Sequence, residues 1–136
     1  MRYRPFGPSG AAVSAITLSV GADMLARGRE AAMSLLFAAL EQGINSYRLE
    51  TADPVVAEVL GEALSHLDRK LALVSLTLGE VDPRRQVRDF TSEGITAAVD
   101  RVLHYSGLGW IDVAVLDAPG EHELRYAGLN ALKTMK

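Results

Sequence analysis

The feature that most constrains the fold of this chain is a regular alternation of strand-length and helix-length apolar segments. A short strand is predicted at residues 44–49, and apolar runs of strand length occur at residues 71–78 and 110–116. Between them, apolar residues recur at helical spacing, and the connections are short. Alternation of this kind is typical of a parallel sheet flanked by helices. The sequence therefore predicts an α/β fold built from successive β/α units.

The helices are predicted from apolar stripes and from residues suited to helix ends. Gly43 can end a helix over residues 29–42 with a left-handed cap. Asp53 and Pro54 suit the N-cap and first position of a second helix, and Thr91 starts a third. Residues 124–136 predict a fourth helix. The predicted buried stripes are Ala32, Leu35, Leu36, Ala39 and Leu40, then Val55, Val56, Val59, Leu60, Ala63 and Leu64, then Ile95, Ala98, Val99, Val102 and Leu103.

The first twenty residues predict a β-hairpin of the kind that can plug one end of a barrel. Residues 7–10 form a dense turn signal between an extended stretch at residues 3–6 and a return strand. The hairpin and about four β/α units make half of a barrel, because closure takes about eight strands. The last residues form a helical pattern without a stop signal, which predicts truncation. We therefore expect a single domain over residues 1–136 that is a half-barrel or a truncated barrel.

Composition argues against several classes of function. The net charge is −3, so no global field favours nucleic acid or an anionic membrane. The absence of cysteine excludes disulfides, thiolate-bound zinc and a thiol nucleophile, and agrees with a cytoplasmic protein. The spacing of the three histidines suggests no metal site. The expected partners are a small-molecule ligand, a second copy of the chain or a missing C-terminal half, and neither nucleic acid nor a membrane.

Four short motifs occur in the order and at roughly the spacing found in one enzyme family. Residues 4–14 read RPFGPSGAAVS, residues 39–45 read ALEQGIN, residues 60–64 read LGEAL and residues 110–113 read WIDV. Together they resemble the opening half of the aldo-keto reductases. The resemblance covers nearly the whole chain, whereas a family member is about twice as long.

The resemblance implies a (β/α)8 barrel that reduces an aldehyde or ketone with NADPH as hydride donor. In that family a tyrosine donates the proton, a lysine paired with an aspartate helps to lower the tyrosine pKa, and a histidine orients the carbonyl. All four positions fall in the first half of the barrel. Most phosphate-binding groups come from the last strands. The resemblance therefore implies NADP(H) for a full-length barrel and no cofactor bound by this chain alone.

The positions of the family's aspartate and tyrosine hold other residues here. The aspartate ends the second barrel strand, where Arg48 stands if the motif is aligned without a gap. Alignment on the following Thr-Ala pair places Glu50 there instead. The ungapped alignment is preferred, because two extra residues inside a barrel strand would disturb its register. The tyrosine, five residues on, becomes Asp53 or Val55.

The remaining family positions are also substituted. The lysine at the end of the third barrel strand becomes Thr77, and the histidine that ends the fourth becomes Asp117. At the cofactor segment after the hairpin, Ser19 and Val20 are weak positional equivalents. No residue is therefore assigned the family's catalytic role, and no metal ligand is assigned.

Charged and polar residues near the strand ends have simpler interpretations beside the functional ones. By alternation Tyr47 points toward the helix layer and packs there. Arg48 and Glu50 share a face and are expected to form an internal ion pair. Asp117 lies where barrel active sites are built, so it either binds a ligand or caps the next turn.

Residues with metal-binding, basic or aromatic side chains are expected to be mostly structural. His66 and His104 lie on predicted helices and should be exposed, whereas His122 follows the fourth strand and has a small prospect of binding a ligand. The basic residues at 84–88 should be a solvated loop. Trp110 starts a strand and should be part of the core.

Three functions agree with this pattern. The first is an aldo-keto-reductase-like pseudoenzyme or ligand-binding barrel that lacks standard reductase activity. The second is an active NADP-dependent oxidoreductase with a rearranged site, to which Arg48, Glu50 and Asp117 would contribute and which a C-terminal half would complete. The third is a half-barrel that forms a homodimer through its open sheet edges, which leave backbone groups unpaired.

Overall fold

The computed structural model describes residues 1–79 and 88–117, and these residues form an α/β fold. Six strands and three α-helices follow one another, with three short 3-10 turns between them. The strands are β1 Tyr3–Pro5, β2 Ala12–Ser14, β3 Leu18–Val20, β4 Ser46–Leu49, β5 Leu73–Leu78 and β6 Val113–Leu116. The helices are α1 Arg29–Glu41, α2 Pro54–Leu64 and α3 Ser92–Ser106, and the 3-10 turns are Gly7–Ser9, Ala22–Arg27 and Arg69–Leu71. The predicted fourth helix, His122, and Arg84 and Arg85 lie outside the described residues.

The N-terminal hairpin is confirmed. β1 and β2 pair antiparallel, with Tyr3 opposite Ser14 and Pro5 opposite Ala12. The turn between them closes with a hydrogen bond from the Phe6 amide to the Ala11 carbonyl, 2.9 Å long. Gly10 ends the turn at φ +76°, a backbone conformation that residues with a Cβ seldom adopt. The turn that residues 7–10 predict is therefore present in the structure.

Strands β3 to β6 form one parallel sheet in chain order. Each strand pairs with the next, and Ser19, Arg48, Ser75 and Val113 stand side by side across the sheet. Helices α1, α2 and α3 fill the connections, as β/α units require. The described strands thus form an open four-stranded sheet, which is part of a barrel and not a closed one.

The helix ends follow the predicted signals. The Asp53 side chain accepts hydrogen bonds from the Val55 and Val56 amides and so caps α2, with Pro54 at its first position. Thr91 caps α3 by accepting from the Gly94 amide. Gly43 follows α1 at φ +83°, in the left-handed region that a C-terminal cap uses. These local sequence signals therefore predict where the helices begin and end.

The two faces of the sheet differ in chemistry. The outer face packs on the helices, and its fully buried side chains are Val20, Tyr47, Leu49, Val74, Leu76 and Leu78. The opposite, inner face has Ser19, Arg48, Ser75 and Thr77 at alternate positions, with Val113 and Val115 on β6. This strand-by-strand alternation makes the inner face largely polar. A ligand in the concavity of the sheet would therefore meet hydroxyl and guanidinium groups.

Several predicted core residues are exposed instead. Trp110 is 43% exposed and precedes β6, which begins only at Val113, so its assignment to the core is wrong. Leu35 and Val55 are also exposed, because the buried stripe of α1 runs through Ala32, Leu36 and Ala39 and that of α2 begins at Val56. The predicted stripes of α1 and α2 each contained one exposed residue, whereas that of α3 contained none. Among the described residues, no helix is long and apolar enough to cross a membrane.

Candidate functional site

The sheet has two ends with different roles. We call the end where β3 to β6 begin the amino-end face and the end where they finish the carboxyl-end face. Ligands of parallel α/β folds bind at the carboxyl ends of the strands, because the loops there converge on the sheet. The substituted family positions lie on or beside this carboxyl-end face.

Arg48 and Thr77 meet on the inner face. Arg48 lies near the end of β4 and donates from its Nε to the Thr77 Oγ1 at 3.0 Å. Thr77 itself is buried on the neighbouring strand β5. The residues at the family's aspartate and lysine positions are therefore in contact, as an aspartate and a lysine would be, but a cation and a hydroxyl have replaced an anion and a cation.

The Glu50 side chain points toward β3, away from Thr77. Its amide donates to the Val20 carbonyl at 3.0 Å, which ties the end of β4 to β3. Its Oε2 lies so close to Gly21 that a Cβ built on that glycine would be 2.5 Å from it. The carboxylate therefore lies beside β3, while the Arg48 guanidinium reaches toward β5. Arg48 and Glu50 form no ion pair, so the expected internal pair is not found.

Asp53 and Val55, the alternatives for the tyrosine position, belong to the start of α2. The Asp53 Oδ1 accepts from the Val55 amide at 2.9 Å and from the Val56 amide at 3.3 Å. The Val55 side chain is about half exposed. One residue is thus a helix cap and the other an exposed aliphatic side chain, and neither supplies an acid.

Asp117, at the histidine position, is bound by an arginine. Its amide donates to the Leu78 carbonyl at 3.1 Å, directly after β6. Its carboxylate forms an ion pair with Arg88, and the same Arg88 Nη1 donates to the Asp117 carbonyl at 3.1 Å. The Asp117 carboxylate therefore ties Arg88 to the end of β6. The turn that follows Asp117 lies outside the described residues.

Ser19 and Val20, the positional equivalents of the cofactor segment, lie on opposite faces. Ser19 is exposed on the inner face, whereas Val20 is 1% exposed within the core. The Glu50 and Asp23 carboxylates lie close to Gly21, just after the end of β3. Of the two positional equivalents, Ser19 is therefore the one whose side chain a ligand could reach.

Tyr47 is confirmed as a packing residue. It is completely buried on the outer face, and its hydroxyl donates to the Ile44 carbonyl at 2.6 Å. Burial raises the pKa of Tyr47 to about 12. A proton donor in carbonyl reduction needs a pKa shift in the opposite direction. Tyr47 therefore cannot replace the missing acid from its present position.

The histidines are exposed, as predicted, where the structure describes them. His66 lies edge-on to Phe37 with ring centroids 5.4 Å apart, and His104 lies edge-on to Tyr105 at 5.0 Å. Within residues 1–79 and 88–117, no group of three or more His, Cys, Asp or Glu side chains could hold a metal ion.

On the amino-end face, hydrogen bonds of Asn45 fasten the N-terminal hairpin to the sheet, which the sequence alone did not predict. We call this set of bonds the hairpin lock. The Asn45 Nδ2 donates to the Ala12 carbonyl at 2.8 Å, and its Oδ1 accepts from the Ser14 amide at 2.7 Å. The Asn45 amide also donates to the Ser14 Oγ at 3.2 Å. Asn45 lies in the motif GIN, so the motif itself was the signal.

A second lock fastens the start of β6. The Asp112 Oδ2 accepts from the Val74 amide and from the Arg69 Nη2, both at 2.8 Å, and its Oδ1 accepts from the Trp110 Nε1 at 3.0 Å. The Arg69 guanidinium lies 4.5 Å from the centroid of the Trp110 ring. Trp110 is therefore held on the surface by an arginine and an aspartate, which explains its exposure.

Comparison with solved structures supports the resemblance, whereas comparisons of sequence give no match. No model of a known protein family matches the sequence, and no curated protein matches it. Among solved structures, a candidate aldo-keto reductase from Pseudomonas aeruginosa, PA4992, is 26% identical, with a TM-score of 0.79 over 98% of this chain and 55% of its own. A second structure of a candidate aldo-keto reductase from Pseudomonas aeruginosa is 28% identical, with a TM-score of 0.73 over 97% of this chain and 55% of its own. The resemblance to the aldo-keto reductases is confirmed.

A third solved structure extends the likeness in fold. The holo form of the aldo-keto reductase AKR11C1 from Bacillus halodurans is 24% identical, with a TM-score of 0.77 over 100% of this chain and 46% of its own. The chain therefore spans about half the length of the aldo-keto reductases it matches, and it has the fold of part of their barrel.

The motifs that carry the aldo-keto reductase likeness are concentrated on the amino-end face. Asn45 and Asp112 form the two locks there. Gly61, in the motif LGEAL, lies so close to the Ser106 carbonyl at the end of α3 that a Cβ would overlap it. The substituted positions of the same likeness lie at the opposite end of the sheet.

Proposed function

We propose that this chain is the first half of an aldo-keto-reductase-like barrel that binds a small molecule on its carboxyl-end face without reducing a carbonyl. The observation that carries the proposal is the hydrogen bond from Arg48 Nε to Thr77 Oγ1. It occupies the place where the family's aspartate and lysine would lower the pKa of a tyrosine, and a guanidinium and a hydroxyl stand there instead.

The proton-transfer chemistry supports the same conclusion. Carbonyl reduction needs an acid whose pKa lies near the working pH and whose proton reaches the carbonyl oxygen. A guanidinium keeps its proton, and a threonine hydroxyl is a very weak acid. Tyr47, the tyrosine on β4, has its pKa raised to about 12 and faces the helices. The described residues therefore offer a polar binding surface, and the tyrosine of β4 does not face it.

NADP(H) enters this proposal only through the likeness to aldo-keto reductases. When bound, it would supply a hydride. Of the two positional equivalents, Ser19 alone faces the inner side, and the carboxylates of Glu50 and Asp23 lie close to Gly21, two residues further on. We propose that this chain alone does not bind the cofactor. We also place the protein in the cytoplasm, in keeping with its lack of cysteine.

The direct test combines a binding and a turnover measurement. NADPH is titrated into the protein and followed by its fluorescence, and NADPH oxidation is then measured with a generic aldehyde. We expect no turnover. A variant with R48D, V55Y, T77K and D117H, which restores the family's residue types, serves as the comparison, with R48D alone as its control. Aldehyde reduction by the unmodified protein would refute the proposal and favour an active oxidoreductase with a rearranged site.

A homodimer is a second candidate function, favoured by the edges of the sheet. Within the described residues, β3 pairs only with β4, and β6 pairs only with β5. Unpaired strand edges are templates for another strand, and a second copy could supply one to each. Light scattering on the purified chain distinguishes the two states: a folded monomer removes this candidate, and a dimer supports it.

A further inference from the structure

Arg48 is a cation on the inner face that no described carboxylate neutralises. The ion pairs among the described residues join Arg29 to Glu58 and Glu62, Arg69 to Asp112, and Arg88 to Asp117. Glu50 is the acidic residue nearest to Arg48 along β4, and its carboxylate lies beside Gly21 at the end of β3. Arg48 therefore carries a positive charge into the concavity of the sheet.

The hydrogen bond to Thr77 fixes how that charge is presented. Arg48 uses its Nε for Thr77, and no described residue accepts a hydrogen bond from the two terminal nitrogens of the guanidinium, which can donate to another group. A planar guanidinium with a free edge matches the two oxygens of a carboxylate or a phosphate. Thr77 acts as a positioning residue, because its hydroxyl holds the plane of the guanidinium in the concavity.

The neighbours of Arg48 in the sheet are hydroxyl groups. Ser19 on β3 and Ser75 on β5 stand directly beside Arg48 in the register of the parallel strands. Ser19 is exposed, and Ser75 makes only a long contact of 3.5 Å to the Tyr47 carbonyl. Serine hydroxyls can donate to an anion or accept from a polar ligand. A cation between hydroxyls is a chemistry that suits an oxoanion.

We propose that Arg48, positioned by Thr77 and flanked by Ser19 and Ser75, binds the carboxylate or phosphate group of a small-molecule ligand. The inference rests on the proposed function, since it names the class of ligand that the carboxyl-end face takes. It goes beyond that function because an arginine at the position of the family's aspartate reverses the charge there, and a positive charge favours an anionic ligand group.

The test titrates two simple anions at constant ionic strength. Inorganic phosphate and succinate are added separately to the protein, and the backbone amide resonances of β3, β4 and β5 are followed by NMR in every variant. In the wild type the Nε–H resonance of Arg48, assigned by its loss in Arg48→Lys, is followed as well. Arg48→Gln keeps the polarity and removes the charge, and we expect it to weaken binding by about tenfold or more. The matched control is Arg4→Gln on the exposed strand β1, which should leave the affinity unchanged.

The outcomes separate the ligand classes and the roles of the residues. Arg48→Lys keeps the charge but not the planar guanidinium, so we expect a smaller loss of affinity than in Arg48→Gln. Thr77→Val should also weaken binding, although no charge is removed. Binding of succinate alone assigns a carboxylate, and binding of phosphate alone assigns a phosphate. Equal binding to wild type and Arg48→Gln, or no binding of either anion, overturns the inference. If Arg48→Gln does not fold, Arg48→Lys and Thr77→Val decide. Aldehyde turnover, measured separately, bears only on the proposed function.

Discussion

The two ends of the parallel sheet differ in how their side chains are used. On the amino-end face, Asn45 and Asp112 each make several hydrogen bonds to backbone groups of other segments. On the carboxyl-end face, Arg48 and Asp117 bond to side chains that lie at the family's substituted positions or in a loop. The amino-end face therefore fastens the chain, and the carboxyl-end face presents functional groups. This separation shows how a chain can keep the outline of a family while the residues at its strand ends change.

The difference has a physical cause. A residue that satisfies several backbone groups at once cannot be replaced without leaving those groups unpaired, which costs free energy. A residue at the mouth of a barrel is less constrained by folding, since water can replace its partners. Substitutions that alter the reaction can therefore accumulate at the mouth while the fastening residues stay the same. The following substitutions test whether the two ends differ as strongly as their contacts indicate.

The largest effect is expected for Gly61→Ala. A Cβ at this position would overlap the Ser106 carbonyl, a backbone atom at the end of α3, so the two helices must move apart. We expect the free energy of unfolding to fall by about 3 kcal/mol, which exceeds the ~1 kcal/mol that alanine gains over glycine in a helix. Urea unfolding followed by circular dichroism measures the change.

Gly94→Ala is the matched control at the other end of α3. Its Cβ would meet the Asp89 carboxylate, which is a side chain and can rotate away. We expect a change within about 1 kcal/mol, because the gain in helix propensity offsets the displaced carboxylate. Equal losses for Gly61→Ala and Gly94→Ala would contradict the view that packing is tighter on the amino-end face.

The next effect concerns the two aspartates that flank β6. Asp112→Ala removes the acceptor of the Val74 amide, Arg69 and Trp110, and we expect it to cost about 2 kcal/mol. Asp117→Ala breaks a partly exposed ion pair with Arg88, and such pairs are worth less than about 1 kcal/mol. Thermal and urea unfolding of both variants give the comparison. A larger loss at Asp117 would reverse the assignment of the two ends.

The third-largest effect is expected for Asn45, which fastens the N-terminal hairpin to the start of β4. Asn45→Ala removes the bonds to the Ala12 carbonyl and the Ser14 amide, and we expect a loss of about 1.5 kcal/mol. Asn45→Asp keeps an acceptor for the Ser14 amide and should lose less. Hydrogen exchange of the β1 and β2 amides should quicken in Asn45→Ala while the amides of β5 stay protected. Uniform acceleration in both regions would show that the hairpin is not fastened by this residue alone.

Local sequence signals predicted most of the fold because the structure satisfies them locally. The Asp53 cap, the left-handed Gly43 and the strand–helix alternation were all readable from the sequence, and each has its expected partner. The exposed position of Trp110 was not readable, because it depends on Arg69, forty-one residues away along the chain. The width of a buried stripe likewise depends on which neighbour packs against it.

The candidate site was predictable in position and not in contacts. Motif alignment placed Arg48, Thr77 and Asp117 at strand ends, where the structure has them. It predicted an ion pair between Arg48 and Glu50, because alternation puts both on one face. The pair does not form, since Gly21 leaves room for the Glu50 carboxylate beside β3 and Thr77 attracts the guanidinium toward β5. Alternation gives the face of a side chain, and only neighbouring strands decide its direction within that face.

The smallest effect is expected for Tyr47→Phe, which tests whether the only tyrosine on β4 belongs to the core. Loss of its hydrogen bond to the Ile44 carbonyl should cost about 1 kcal/mol at neutral pH. Burial raises the Tyr47 pKa to about 12, compared with about 10 in an unfolded chain. A raised pKa contributes stability that is fully present below pH ~10 and is lost as the pH rises through about 12.

The free energy of unfolding of the wild type should therefore fall more steeply with pH above about 10 than that of Tyr47→Phe, since the phenylalanine has no proton to lose. Other groups titrate in both proteins and cancel in the difference. The tyrosinate absorbance of the wild type should also contain a late step that Tyr47→Phe lacks. A step near the ordinary tyrosine pKa would mean that the hydroxyl reaches water, and Tyr47 would then be a candidate acid after all. A step near pH 12 would mean that the Tyr47 hydroxyl stays buried against the helix layer. The carboxyl-end face would then receive no tyrosine from β4.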